Sequence, residues 1–152
     1  MTTTISRPKI SNWGTSNIPS LTGKTALITG ANSGLGYYTA KALAEKKAHV
    51  IIASRSFEKA NQTIKKLKVL NPEGTFTPLE LDLSDLKNVV EVQSKIFDDF
   101  ENLDLLINNA GIMHPPKTLS VQGYEIQFAV NHLAHMLLTL KLLPIIEKEE
   151  KS

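Results

Sequence analysis

Glycines at 30, 34 and 36, in Thr29-Gly30-Ala31-Asn32-Ser33-Gly34-Leu35-Gly36, have the spacing of a loop that can hold a diphosphate. The run follows the apolar Ala26-Leu27-Ile28 and opens into Thr39-Ala40-Lys41-Ala42-Leu43-Ala44, which is rich in good helix formers. Glycine accepts positive φ and carries no Cβ, so the loop can turn tightly after a strand and let an anion approach its backbone. The helix that follows points unpaired N–H groups and its positive dipole end at that anion. Gly30, Asn32, Ser33, Gly34, Leu35 and Gly36 therefore read as a dinucleotide site.

Other spacings carry less. Gly23-Lys24-Thr25 ends like a nucleotide-triphosphate loop, but Ile18 stands where the first glycine is required and the segment precedes its strand. His132 and His135 sit at helical i, i+3; with no third ligand in view they read as packing and surface histidines, and no metal site is expected. Asn61-Gln62-Thr63 is a glycosylation sequon that matters only in a secreted chain.

The elements that must position the glycine loop alternate along the chain. Residues 24–29 read as a buried strand, 35–47 as a helix and 49–54 as a second strand. Residues 57–70 form the next helix, closed by the turn Asn71-Pro72-Glu73-Gly74. A third strand covers 76–82 and a helix 84–100, whose Val89, Val92, Ile96 and Phe100 share one face. The fourth strand, 103–108, has Leu105-Leu106-Ile107 apolar at consecutive positions, as a strand covered on both faces requires. Pro115 and Pro116 mark a loop, and a long helix over 122–149, kinked at Pro144, closes the series. The order predicts an α/β fold: the N-terminal half of a doubly wound parallel-sheet Rossmann fold, strand order 3-2-1-4, cut before the fifth strand. Residues 1–20, with Pro8 and Pro19, read as an extended arm, and 21–152 as the incomplete nucleotide-binding domain.

A chain of 152 residues is long enough for one domain with a core. The 41% hydrophobic and 21% charged fractions are those of an ordinary globular protein. The net charge of +2, without a basic run interleaved with aromatics, argues against a nucleic-acid partner. Cysteine is absent, which excludes disulfides and thiolate metal sites and fits a reducing, cytoplasmic setting, although Arg7, Lys9 and the acid-free first 22 residues leave organelle targeting open. The apolar segment 129–146 is interrupted by Asn131, His132, His135, Thr139 and Lys141, so no membrane span is expected.

The spacing Gly30-x-x-x-Gly34-x-Gly36, followed two β-α units later by Asn108-Asn109-Ala110-Gly111, resembles the short-chain dehydrogenase/reductase family over the first half of that family's domain. The resemblance implies a nicotinamide dinucleotide as cofactor. It places Asn109, Ala110 and Gly111 beside the cofactor ribose and leaves Asn108 a structural role. Asp82 and Leu83 match the positions that meet the adenine amino group and ring; Asp82 could instead cap the next helix, but Ser84 and Asp85 are nearer for that. At the end of the second strand a carboxylate would accept from the adenosine ribose hydroxyls and repel a 2′-phosphate. Here Ser54 stands at that position and Arg55 follows, and a guanidinium can hold phosphate bidentately, so NADP(H) is expected over NAD(H).

Asn131, in Val130-Asn131-His132-Leu133-Ala134-His135, matches the asparagine of the family's catalytic tetrad, which holds a water linked to the catalytic lysine. A helix-packing amide is the alternative, and Ala134 departs from the glycine of many relatives. Tyr37-Tyr38-Thr39-Ala40-Lys41 has the family's catalytic Tyr-x-x-x-Lys spacing but lies in the helix after the phosphate loop, pointing away from the nicotinamide. The family's catalytic serine and tyrosine would follow the fifth strand. These residues alone are therefore expected to be inactive, with an apolar fourth strand and Leu137 and Leu140 of the last helix exposed to self-association.

Ala53-Ser54-Arg55-Ser56, Asn131-His132-Leu133 and the upstream Trp13 and Ile18-Pro19 resemble the retinol-dehydrogenase-like subgroup, to which light-dependent protochlorophyllide reductases are related. That resemblance implies a small lipophilic carbonyl or alcohol as substrate. Two other classes stay open: a catalytically dead nucleotide-binding or redox-sensing module, and a non-functional gene fragment.

Overall fold

The computed structural model describes residues 13–148. Residues 1–12 of the expected arm, and the expected helix end at 149, lie outside them. Four parallel strands, β1 (Thr25–Thr29), β2 (His49–Ser54), β3 (Thr75–Glu80) and β4 (Leu105–Ile107), form one sheet in the order β3-β2-β1-β4. The register pairs Leu27 with Ile51 and Leu106, and Ile51 with Thr77.

Side chains on a strand alternate between faces, and the two central strands are apolar on both. Leu27 and Ile51 point to one side, into a core with Leu79 and Leu103. Ala26, Ile28, Val50 and Ile52 point to the other, where α1 (Gly34–Glu45) and α2 (Phe57–Leu70) supply Ala40, Leu43, Ala60, Ile64 and Leu67. The first core is closed by α3 (Leu86–Asp99), through Val89, Val92 and Ile96, and by the last helix, through Ala134, Leu138, Leu142 and Ile145.

Several boundaries differ from the sequence reading, most by one or two residues. β3 stops at Glu80 rather than 82, because Asp82 folds its carboxylate onto the N–H and hydroxyl of Ser84, at 2.9 and 2.7 Å. β4 is shorter at both ends: Asp104 turns its side chain to the Thr25 N–H at 2.8 Å and to Lys24 at 2.9 Å. The last helix begins at Ile126 rather than 122, because Gln122 is held by the start of α3. Its Oε1 accepts the Leu86 N–H at 3.0 Å, and its Nε2 donates to Asp85 at 2.7 Å. Asp85 caps α3, accepting the Lys87 N–H at 3.0 Å. Glu125 caps the last helix, which runs as α4 (Ile126–Phe128), a π-helical turn (Ala129–Leu133) and α5 (Ala134–Ile146).

By length and composition Ile126–Ile146 is a helix that could cross a membrane. The sequence reading discounted it for its polar interruptions; in this fold it covers the sheet, with Leu138 and Leu142 fully buried. Leu137, expected to be exposed, packs against the first core instead, whereas Met136 and Leu140 are more than half exposed. Leu138→Ala is therefore expected to cost about 2–5 kcal/mol, and Leu140→Ala within about 0.5 kcal/mol of zero. Urea unfolding of both variants distinguishes them; equal losses would contradict this packing.

Candidate cofactor site

All four strands point their carboxyl ends to one edge of the sheet, where open α/β folds bind ligands. A cavity of about 550 Å³ lies there. The turn after β1 contributes Gly30, Asn32, Ser33 and Leu35; the end of β2 contributes Ser54 and Arg55; the segment after β3 contributes Asp82, Leu83 and Ser84. Asn109, Ala110, Gly111 and Ile112, after β4, form the opposite wall.

The turn is built around missing side chains. Gly30 has φ +65°, and a Cβ on it would lie 2.8 Å from the Ala110 Cα. A Cβ on Gly36 would lie 2.6 Å from the Gly30 carbonyl oxygen and would run into the Asn109 side-chain nitrogen. Gly34, at φ +54°, opens α1. Ser33, the residue before it, makes no capping bond with its hydroxyl. The first N–H groups of α1 have no partner within the helix and stand at the cavity as donors for an anion.

Asn109 locks the turn to the wall opposite. Its side chain donates to the carbonyls of Thr29 and Gly30, at 2.9 and 3.2 Å. The backbone N–H groups of Asn109 and Ala110 both donate to the Thr29 hydroxyl at 3.0 Å. Asn108 turns away, donating to Thr139 at 3.0 Å.

The Arg55 side chain is exposed at the cavity mouth and makes no ion pair among the described residues. Lys59, in the first turn of α2, lines the same cavity. The sequence reading missed it, although a cation four residues past Arg55 at the start of a helix was a visible signal. Asp82 spends one carboxylate oxygen on Ser84, and the other has no protein partner among the described residues.

Asn131 does not line the cavity. Its amide group is engaged with Ile112, donating to the carbonyl at 2.8 Å and accepting the N–H at 2.9 Å, which anchors the far end of the Asn109–Gly111 wall. It sits in the π-helical turn, and such turns occur often at functional sites. The Tyr37 side chain packs on the second core and Lys41 pairs with Glu45 at 3.5 Å, so neither reaches the cavity. His132 is exposed and stacked on Phe128, whereas His135 is buried. The two do not converge, and no group of three metal-ligating side chains occurs among the described residues.

A half-sheet in the order 3-2-1-4 with a glycine turn at the carboxyl end of its first strand defines the N-terminal part of a Rossmann fold. Residues 24–152 match the short chain dehydrogenase family, and the chain belongs to that family. It is retinol-dehydrogenase-like: human retinol dehydrogenase 13 is 42% identical over 121 residues, covering 80% of this chain and 37% of the relative. A crystal structure of an uncharacterized protein from Mycobacterium paratuberculosis superimposes with TM-score 0.78 at 41% identity, covering 89% of this chain and 47% of that one. The Pseudomonas aeruginosa RhlG/NADP complex gives TM-score 0.70 at 29% identity, covering 83% and 49%. The chain thus spans less than half the length of each of these proteins.

Proposed function

We propose that these residues are the coenzyme-binding part of an NADP(H)-preferring short-chain oxidoreductase acting on a lipophilic carbonyl or alcohol. The cavity fits a nicotinamide dinucleotide: a diphosphate would meet the α1 N-terminus where side chains at Gly30 and Gly36 would collide, and a ribose would lie along Asn109, Ala110 and Gly111. Bound there, the coenzyme supplies a hydride for a carbonyl carbon. The observation that carries the preference is the cation pair, Arg55 and Lys59, at a cavity mouth where a ribose-binding carboxylate is replaced by Ser54. The NADP in the Pseudomonas aeruginosa relative's structure supports the same reading. Calorimetric titration with NADPH and NADH tests it: tighter NADPH binding is expected, and equal affinities would overturn the preference.

Asn131 is assigned the catalytic position of the family tetrad, with Asp82 and Leu83 at the adenine. The described residues bring no Tyr-x-x-x-Lys to the cavity, so residues 1–152 by themselves are expected to bind NADPH without oxidising it in the presence of retinaldehyde. Steady turnover by these residues alone would overturn that assignment; the same binding without turnover in the natural protein would favour a redox-sensing module. The open edge of β4 and the exposed Met136, Leu140 and Leu143 of α5 are the surfaces assigned to self-association, which sedimentation reads as a concentration-dependent mass. Residues 1–20 are assigned to an extended arm, read as protease-sensitive sites before residue 21. A cytoplasmic location completes the proposal, and recovery in a washed membrane pellet would overturn it.

A further inference from the structure

On the last helix Asn131, His135 and Thr139 stand four residues apart on an otherwise apolar surface, and each is hydrogen-bonded to the segment that forms the cavity wall or to its anchor. Asn131 holds Ile112, Thr139 accepts from Asn108, and His135 Nε2 lies 2.9 Å from the Thr29 hydroxyl oxygen. We propose that His135 is a positioning residue for the coenzyme site: as a neutral ring protonated on Nδ1, it takes the Thr29 hydroxyl proton and thereby keeps both oxygen lone pairs of Thr29 turned to the Asn109 and Ala110 amides.

The assignment follows from counting donors. A threonine hydroxyl has one proton to give and two lone pairs to receive. Both lone pairs of Thr29 are occupied at 3.0 Å by the N–H groups of Asn109 and Ala110. The proton must then go to an acceptor, and the choices are His135 Nε2 at 2.9 Å or the Ile107 carbonyl at 3.5 Å. The longer one is beyond the usual range for O–H···O. Nε2 is therefore the unprotonated nitrogen, and the ring proton sits on Nδ1, 3.4 Å from the Asn131 carbonyl. One imidazole joins the helix at Asn131 to the end of β1 and, through Thr29, to the wall at Asn109 and Ala110.

Protonation would break this arrangement. An Nε2–H would be a third N–H directed at Thr29 Oγ1, and one of the two amides would have to let go. The groups packed around the ring supply nothing to favour the charged form. Thr29, Ile107, Asn109, Ala110, Asn131 and Thr139 are uncharged, and α3, packed on α5, turns Val89, Val92 and Ile96 inward. Its ionisable Lys87, Glu91, Lys95, Asp98 and Asp99 are in exposed or solvent-facing positions. Burial accordingly holds the His135 pKa below the ordinary 6.5, with only the Asn131 carbonyl opposing. With the folded pKa the lower one, the unfolded chain binds the proton first. The neutral contact is fully present above about 6.5 and is lost as pH falls through the folded value.

The inference rests on the coenzyme reading, and its test separates the two. Two-dimensional NMR of protein carrying ¹⁵N-labelled histidine reads the His135 tautomer without any coenzyme; an Nδ1-protonated ring is expected, and an Nε2-protonated one overturns the proposal. Calorimetry with NADPH between pH 8 and 5.5 then compares wild type with His135→Gln, whose side-chain carbonyl can accept the Thr29 proton but cannot titrate. The coenzyme's 2′-phosphate, and His49, whose pKa burial also lowers, change charge in both proteins, so the difference between them isolates His135. The wild type is expected to lose affinity more steeply toward acid than His135→Gln. His135→Phe is expected to bind about tenfold more weakly at pH 8, the equivalent of one buried hydrogen bond. Parallel profiles for wild type and the glutamine variant, or undiminished binding by a folded phenylalanine variant, would overturn the role. Absence of NADPH binding by wild type at pH 8, beside the expected tautomer, would instead remove the coenzyme reading and leave the hydrogen-bond assignment standing.

Discussion

Gly36→Ala is expected to weaken NADPH binding at least about 100-fold, which corresponds to about 2.8 kcal/mol. The added methyl has nowhere to go. It would approach the Gly30 carbonyl to 2.6 Å and the Ala31 Cα to 3.0 Å, both backbone atoms, and it would displace the Asn109 amide group. Moving Asn109 releases its bonds to the Thr29 and Gly30 carbonyls, so the turn loses its tie to the opposite wall. Each such bond contributes on the order of 1 kcal/mol, and the misaligned α1 N-terminus adds to the loss. Gly14, where an added Cβ would meet nothing within 4 Å, is the control: Gly14→Ala should bind as wild type. Calorimetry checks the pair, with urea unfolding to establish that Gly36→Ala is folded. A folded Gly36→Ala that binds NADPH at wild-type affinity would mean that the diphosphate lies elsewhere.

Arg55→Ala is expected to lower NADPH affinity roughly 10- to 150-fold while leaving NADH unchanged. The range follows from about 1.5–3 kcal/mol for hydrogen bonds to a charged group at 1.4 kcal/mol per tenfold. The guanidinium is exposed and has no ion-pair partner among the described residues, so binding a phosphate requires no salt bridge to be broken. Solvent exposure favours the lower part of the range and makes the effect salt-dependent. Lys59→Ala should lose less, because an ammonium on a flexible stem is a point charge without the planar fork of arginine. Titrations with both coenzymes at two salt concentrations check the series. An unchanged NADPH-to-NADH ratio in Arg55→Ala would show that selectivity comes from another part of the cavity.

The parallel sheet covered on both faces was legible from the apolar runs, and its order 3-2-1-4 from the doubly wound pattern that the β-α alternation matches. Consecutive apolar residues in Ala26-Leu27-Ile28 and Val50-Ile51-Ile52 need cover on both faces, and parallel crossovers through helices provide it. The α2 boundaries, Phe57–Leu70, were readable from Ser56 before and Asn71-Pro72 after, since capping and proline chemistry are local. The start of the last helix was not. Gln122 suits a helix by propensity, but its contacts with Leu86 and Asp85, residues 36 and 37 positions away, and the positive φ of Gly123 hold it outside one.

That the glycine turn, Arg55 and Asn109 meet at one cavity was likewise legible, because each directly follows a parallel strand; the part expected of Asn109 came from the family resemblance. Lys59 was legible too, since the start of α2 was read correctly and places it one turn past Arg55, but residue type alone does not separate a cavity-lining lysine from a solvated one. For His135 no local rule could serve. A histidine on an apolar helix looks like packing until the fold brings Thr29, 106 residues away, to 2.9 Å. Residue types and their periods by themselves determined the layered α/β half-sheet and the turn suited to a diphosphate, since strand burial and glycine conformation are properties of short stretches. Only the tertiary structure decided which polar groups share a proton, because hydrogen bonds are allotted by distances that close after the sheet and last helix have packed together.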